Sequence, residues 1–168
     1  MQNSNFIIVD LETTGLNPQT DKIIEVAGIY VVKGLIVGDF DYLVNPMRVV
    51  PQYITELTGI TNSMVMNEPT VYDIYASLRR KLGNTMLVGY NIDGFDKKFL
   101  DAVSIEMDGV PLYNKTFDVL PVMRNKFPGV SHKLTNMCAM FDIHYNAHRA
   151  KDDCIALYNL MKICGLLS

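Results

Sequence analysis

Residues 6–12, Phe6-Ile7-Ile8-Val9-Asp10-Leu11-Glu12, are apolar at every position until two acids appear two residues apart. A strand with one wet face alternates apolar and polar residues, whereas an unbroken apolar run belongs to a strand covered on both sides. The segment therefore predicts a central strand with a layer packed on each face. Thr13-Thr14-Gly15-Leu16-Asn17-Pro18 supplies the turn chemistry that ends it. Two β-rich runs follow, 23–32 and 35–44, separated only by Lys33-Gly34, which is the pattern of an antiparallel hairpin. After Asn45-Pro46 comes a mixed stretch. Val71, Ile74, Tyr75 and Leu78 then recur at the spacing of an amphipathic helix. Further along, short buried strands at 86–90 and 115–118 alternate with helical segments from Phe95 to about Val103, 119–127, Lys133 to about Phe141 and Ala150 to about Cys164. The expected architecture is α/β, a mixed five-stranded sheet with helices on both faces.

The 168 residues amount to one domain, and no repeat, low-complexity tract or charge block divides them, so a single unit over residues 1–168 is expected. Apolar residues at 49% and charged residues at 20% exclude disorder as the dominant state. No apolar run approaches the roughly 18 to 20 residues that cross a bilayer, and Met1 to Asn5 lacks the basic start of an export signal. A soluble cytoplasmic protein without a membrane partner is expected. Cys138, Cys154 and Cys164 are an odd, scattered set, which fits reduced thiols in a cytosolic setting. With a net charge of −3 and a pI near 5.5, the chain cannot hold nucleic acid by a broad basic surface. Nucleic acid stays open as a substrate, because carboxylates that bind divalent cations present positive charge once the ions are in place.

Three places concentrate acids in unusual settings. Asp10 and Glu12 leave the same side of their strand, and like charges so close repel unless a cation or proton intervenes. The plain alternative is that one of them caps the following turn, since D-x-E alone is common. Asp96 shares a helical stripe with Phe99, Leu100 and Val103 if Asp93 caps the helix. It also resembles the closing acid of a capping box, and local evidence does not separate the two readings. Asp153 shares its stripe with Leu157, Leu160 and Cys164, while Asp152 is rotated away by about 100°. His148 would lie about 140° from Asp153 on a continuous helix, so the two can share a site only if His148 stands on the entering loop. Taken alone, a loop histidine is ordinarily a polar surface group.

Together these segments resemble the DnaQ-like, DEDDh family of 3′–5′ exonucleases, which includes the proofreading epsilon subunit of bacterial DNA polymerase III. The first motif reads Phe6 through Leu16. The second reads Gly89-Tyr90-Asn91-Ile92-Asp93-Gly94-Phe95-Asp96-Lys97-Lys98-Phe99-Leu100, and the third His148-Arg149-Ala150-Lys151-Asp152-Asp153. Leu43-Val44-Asn45-Pro46 and Leu57-Thr58-Gly59-Ile60-Thr61 also match family habits, so the likeness spans about Phe6 to Leu160. The resemblance implies a ribonuclease H-like fold in which Asp10, Glu12, Asp96 and Asp153 hold two divalent cations, Mg²⁺ or Mn²⁺, with His148 as general base. It also implies that Thr13, Thr14, Gly15 and Leu16 receive the 3′-terminal nucleotide, and that Asn91 and Phe95 line the same cleft. Ordinary packing is the alternative for Leu16 and Phe95.

The chemistry agrees with that assignment. Phosphodiester hydrolysis needs an activated water and charge stabilisation at the attacking and leaving oxygens, which two metals about 3.5 to 4 Å apart supply. Asp10 is the candidate bridging ligand, Glu12 and Asp153 complete one metal and Asp96 serves the other. An imidazole can accept the water's proton near neutral pH. Lys97, Lys98, Arg149 and Lys151 are candidate phosphate contacts or simply solvated cations, and Arg79-Arg80-Lys81 suits a helix end. Glu25, inside a strand, reads as a structurally hydrogen-bonded acid. A zinc set of Cys138, His144, His148 and Cys154 carries little weight, since its C-x5-H-x3-H-x5-C spacing is unlike structural knuckles.

The expected activity is removal of nucleoside 5′-monophosphates from a single-stranded DNA end or frayed 3′ primer terminus. RNA is the nearest alternative substrate, and an idle nucleic-acid-binding module the alternative class. A chain of this length has room for the exonuclease unit and not for a polymerase, so a stand-alone enzyme, a short proofreading subunit of a DNA polymerase or an excised domain is expected.

Overall fold

The computed structural model describes residues 5–167, so the N-terminal stretch read for an export signal lies, apart from Asn5, outside the described residues. Its elements run β1 (Phe6–Thr13), β2 (Ile23–Val32), β3 (Leu35–Leu43), α1 (Gln52–Thr58), α2 (Asn62–Val65), α3 (Val71–Leu82), β4 (Met86–Gly89), α4 (Asp96–Asp108), β5 (Thr116–Asp118), α5 (Val119–Lys126), α6 (Leu134–Met140) and α7 (Ala150–Ile163). The five strands form one sheet in the order β3-β2-β1-β4-β5, antiparallel from β3 to β1 and parallel from β1 to β5. β1 is the central strand, as its sequence demands.

Its alternation divides the core. Ile7, Val9 and Leu11 point into a cluster with Val71, Ile74 and Leu78 of α3 and Phe99 and Leu100 of α4. Phe6 and Ile8 point the other way, into a cluster with Val119 and Met123 of α5, Met137 of α6 and Leu157 and Leu160 of α7. The β2–β3 hairpin turns on Lys33 and Gly34 at φ 51° and 76°, and positive φ at both positions is what a two-residue turn needs to match strand twist.

Local signals set the helix ends. A capping box between Thr70 and Asp73 starts α3. α4 runs five residues past the expected end near Val103 and stops at Gly109, whose φ of 75° makes it a left-handed cap. Two expectations need correction. Asp93 does not cap α4: its carboxylate accepts the Thr116 hydroxyl at 2.6 Å, and Phe95 occupies the cap position with no side-chain bond. The mixed stretch after Pro46 holds α1 and α2, too short to display a helical period, whose Ile54, Ile60 and Val65 join Ile24 and Val50 in a small third cluster. No helix among the described residues is long and apolar enough to cross a membrane.

α7 presents Leu157, Leu160 and Cys164 to the sheet in line with Asp153, so its packing fixes where that acid sits. Leu160 is fully buried. Leu160→Ala should therefore cost about 2–5 kcal/mol, read as a lower urea midpoint with an unchanged denaturant slope.

Candidate active site

The carboxyl end of β1 brings Asp10 and Glu12 out on the face that α7 covers, because they continue the alternation of Phe6 and Ile8. Asp96 is the first residue of α4 and comes from the opposite layer. Its carboxylate accepts the Leu11 backbone N–H at 3.1 Å, which ties the start of α4 to the peptide between the two β1 acids. Asp153 lies in the first turn of α7, its N–H donated to the Arg149 carbonyl at 2.9 Å. Oxygens of Asp10, Glu12 and Asp153 all lie within 4.8 Å of one another. All four acids line one open cavity of about 230 Å³, together with His148, Tyr90, Asn91 and Phe95. Segments far apart in the chain thus meet at one cavity, and Asp96, at the start of α4, lies on its lining.

Burial and mutual repulsion dominate the electrostatics. Asp10 is pushed well above the ordinary carboxylate range, first by burial and then by Asp96, Asp153 and Glu12. Burial also raises Glu12 to about 8, with Asp153, Glu25 and Asp96 adding to the rise and Arg149 opposing it. Asp96 is raised to about 8 by burial, against the pull of its amide hydrogen bonds. Asp153 is raised by burial while Tyr145, His148 and nearby amides pull it down. One oxygen of Asp153, Oδ2, and the Tyr145 hydroxyl are buried without a hydrogen bond of good geometry among the described residues, although the hydroxyl lies close enough to favour the ionised acid. An orphaned carboxylate oxygen among crowded carboxylates is a poor arrangement without a cation and a good one around a hard, oxygen-seeking divalent ion. The residues fit such an ion.

His148 precedes the Arg149 cap of α7, on the loop where the helical arithmetic requires it. Its φ of 64° is left-handed, a conformation in which histidine is enriched among non-glycine residues. The zinc set does not assemble: Cys154 is buried in the apolar cluster under α7, Cys138 is buried, and His144 is exposed. Among the described residues, the only group of three or more potential ligands drawn together is that of Asp10, Glu12 and Asp153.

The turn after β1 is built from its own polar groups. Thr13 donates its hydroxyl to the Gly15 carbonyl at 2.5 Å. The Thr14 hydroxyl accepts the Lys22 N–H at 3.0 Å, and the Thr14 N–H is donated to the Lys22 carbonyl at 2.8 Å. A Cβ at Gly15 would come within 2.5 Å of the Asp21 carboxylate and displace it from its bonds to the Asn17 N–H and the Thr14 hydroxyl. Leu16 is 83% exposed, so packing does not explain it. It faces Leu57 and Tyr90 across a larger cavity of about 640 Å³ that shares Asn91, His148 and Asp153 with the acidic one. Phe95 lines the acidic cavity and also packs against Phe99, the tilted rings having centroids 5.0 Å apart. Asn91, at φ 68°, donates its N–H to Asp118 and accepts two turn amides.

Three candidate phosphate contacts have partners within the protein. Lys97 binds Asp101 at 2.6 Å, Lys151 pairs with Asp39, and Arg149 binds Glu25 at 2.6 Å. Lys98 is exposed. Glu25 and Tyr145 are the residues near the site that spacing alone misses. Glu25 carried a signal, a lone acid in an otherwise apolar strand; Tyr145 carried none.

The chain matches the RNase T family model, described as exonuclease, over residues 7–161. It is 34% identical to the DNA polymerase III PolC-type of Clostridium perfringens over 95% of this chain but 11% of that protein. It is 32% identical to the DNA polymerase III subunit epsilon of Treponema pallidum, over 93% of this chain and 75% of that subunit. The chain thus spans about a tenth of the PolC-type relatives. Among solved structures, E. coli exonuclease I in complex with a dT13 oligonucleotide superposes with a TM-score of 0.85 at 21% identity, over 95% of this chain and 40% of that one. That likeness establishes a shared ribonuclease H-like fold.

The raised acids set a pH dependence in metal-free buffer. Glu12 and Asp96 titrate near 8 when folded and near 4 when unfolded, so between those values the folded chain binds more protons than the unfolded one. Stability from these groups is therefore greatest at the acidic end and is lost as pH rises through that window. With EDTA present, the urea midpoint should fall between about pH 5 and pH 8, and Glu12→Gln should flatten the fall. A midpoint with the same pH profile in both proteins would contradict the crowding of charge described here.

Proposed function

Because the chain belongs to the exonuclease family, we propose that it removes nucleotides from the 3′ end of single-stranded DNA or a frayed primer terminus, releasing nucleoside 5′-monophosphates. The observation that carries this reading is the convergence of Asp10, Glu12, Asp96, Asp153 and His148 on one cavity. Asp10, Glu12, Asp96 and Asp153 would hold two divalent cations, Mg²⁺ or Mn²⁺, Asp10, Glu12 and Asp153 being the acids drawn closest together. When bound, such ions supply a low-pKa water and stabilise charge on the attacking and leaving oxygens.

The remaining steps belong to the chain. Water attacks the phosphorus that joins the last two nucleotides, the bond to the penultimate 3′ oxygen breaks, and the terminal nucleotide leaves with its 5′-phosphate. His148 takes the water's proton from its place on the loop before α7. Exposed Leu16 and Leu57 offer an apolar rim on which the terminal base can be separated from its neighbour, while Asn91 and Phe95 line the floor. The relatives named as polymerase III proteins support DNA as substrate and a role beside a polymerase. The whole of residues 1–168 acts as one exonuclease unit in this reading.

Degradation of matched 5′-labelled DNA and RNA oligonucleotides with Mn²⁺ tests it. Stepwise shortening of DNA from the 3′ end is expected. Asp10→Ala and Asp153→Ala should abolish it while far-ultraviolet dichroism is kept, and His148→Ala should slow turnover by about 10²–10⁴-fold. Preference for RNA would overturn the substrate assignment, and binding of every end without hydrolysis would overturn the enzyme.

A further inference from the structure

Glu25 lies fully buried on β2, directly opposite Glu12 in the β1–β2 register, so both carboxylates leave the same face of the sheet. A fifth acid beside four would be expected to join them. It is held elsewhere instead. Oε1 accepts Arg149 Nη2 at 2.6 Å and Nε at 3.0 Å, and Oε2 accepts the Ala150 N–H at 2.7 Å. Ala150 is the first residue of α7, and the cap residue of that helix offers no side-chain bond of its own. Glu25 thus caps α7 from across 125 residues of chain.

Arg149 is gripped twice. Its guanidinium is held by Glu25, and its carbonyl accepts the Asp153 N–H at 2.9 Å. The residue before it is His148, whose left-handed backbone persists only where its neighbours fix it. We infer that Glu25 and Arg149 are positioning residues, an ion pair that latches the entry of α7 to β2 and so fixes His148 and Asp153 relative to Asp10 and Glu12. This rests on the exonuclease reading for the consequence in turnover, though not for the geometry. With Glu25 buried and Arg149 32% exposed, the pair adds little net stability over an apolar pair of the same shape, so its value lies in defining one arrangement. The bidentate fork is specific to arginine; a lysine supplies the charge without it.

Arg149→Ala, Arg149→Lys and Glu25→Gln, compared with the parent well below their melting temperatures, separate positioning from both stability and substrate binding. Misplacing a reacting group by about 1 Å costs about 100-fold in rate. Arg149→Ala should therefore lower kcat by about that factor with KM for a short single-stranded DNA oligonucleotide unchanged, and Arg149→Lys should recover part of the loss. In the metal-free proteins, the His148 ring resonance should shift and broaden in all three variants. If Arg149→Ala does not fold, Arg149→Lys and Glu25→Gln carry the comparison. Parent kcat in folded variants, or a loss confined to KM as for a phosphate contact, would overturn the inference while leaving the exonuclease reading intact. A parent inactive on every end, with the His148 resonance still moved by the variants, would overturn the function and keep the latch.

Discussion

Repulsion among buried carboxylates is the constraint from which the rest of this structure follows. Asp10, Glu12, Asp96 and Asp153 crowd one cavity at the end of β1, Asp96 and Asp153 buried and the other two half-buried, and each is driven toward protonation by burial and, in Asp10 and Glu12 most plainly, by its neighbours. Such a cluster costs folding free energy in the absence of a cation. The chain can carry that cost because β1 is packed on both faces. Ile7 and Val9 anchor one layer and Phe6 and Ile8 the other, all at most 1% exposed. The same unbroken apolar run that makes β1 central also makes it stiff enough to hold acids where they repel.

Topology then decides which other segments can reach that point. β1 and β4 are parallel neighbours, so the chain leaves both at the same edge, and the connection after β4 delivers the start of α4 beside the end of β1. Asp96 reaches the Leu11 amide from there. α7 arrives from the opposite layer with its first turn aimed at the same edge, and Glu25 and Arg149 hold that turn in place. Each acid comes from the beginning or end of a regular element, where backbone position is well defined and the side chain still faces open space.

The parts legible in the sequence were those with a period or a motif. The alternating faces of β1, the hairpin at Lys33-Gly34 and the stripe of Asp153 with Leu157 and Leu160 were all readable because a two-residue or 3.6-residue repeat records which side is buried. Helices α1 and α2, of seven and four residues, are shorter than the window in which periodicity appears, and their place depends on contacts with Ile24. The cap of α4 was misread because Asp93 spends its carboxylate on Thr116, 23 residues away, a partner that no local pattern encodes. The same reason hid the role of Glu25: its acid was visible in the strand, while its partner lies across the whole domain. Local chemistry announces itself in sequence, and long-range polar pairing does not.

The charge balance finally bears on what such a site can hold. In the proposed reaction, a protein of net charge −3 cannot attract a polyanion by its overall field. Lys97, Lys151 and Arg149 are committed to Asp101, Asp39 and Glu25, which leaves few free cations along the cleft. Positive charge would then be concentrated at the acidic cavity when divalent ions occupy it, and the approach to that cavity carries exposed Leu16 and Leu57 beside Lys133 and His132. A surface of this kind grips one or two phosphates and a terminal base, and has little hold on the flank of a duplex. Under the proposed function, attack at a strand end suits this distribution of charge as well as the shape of the cleft.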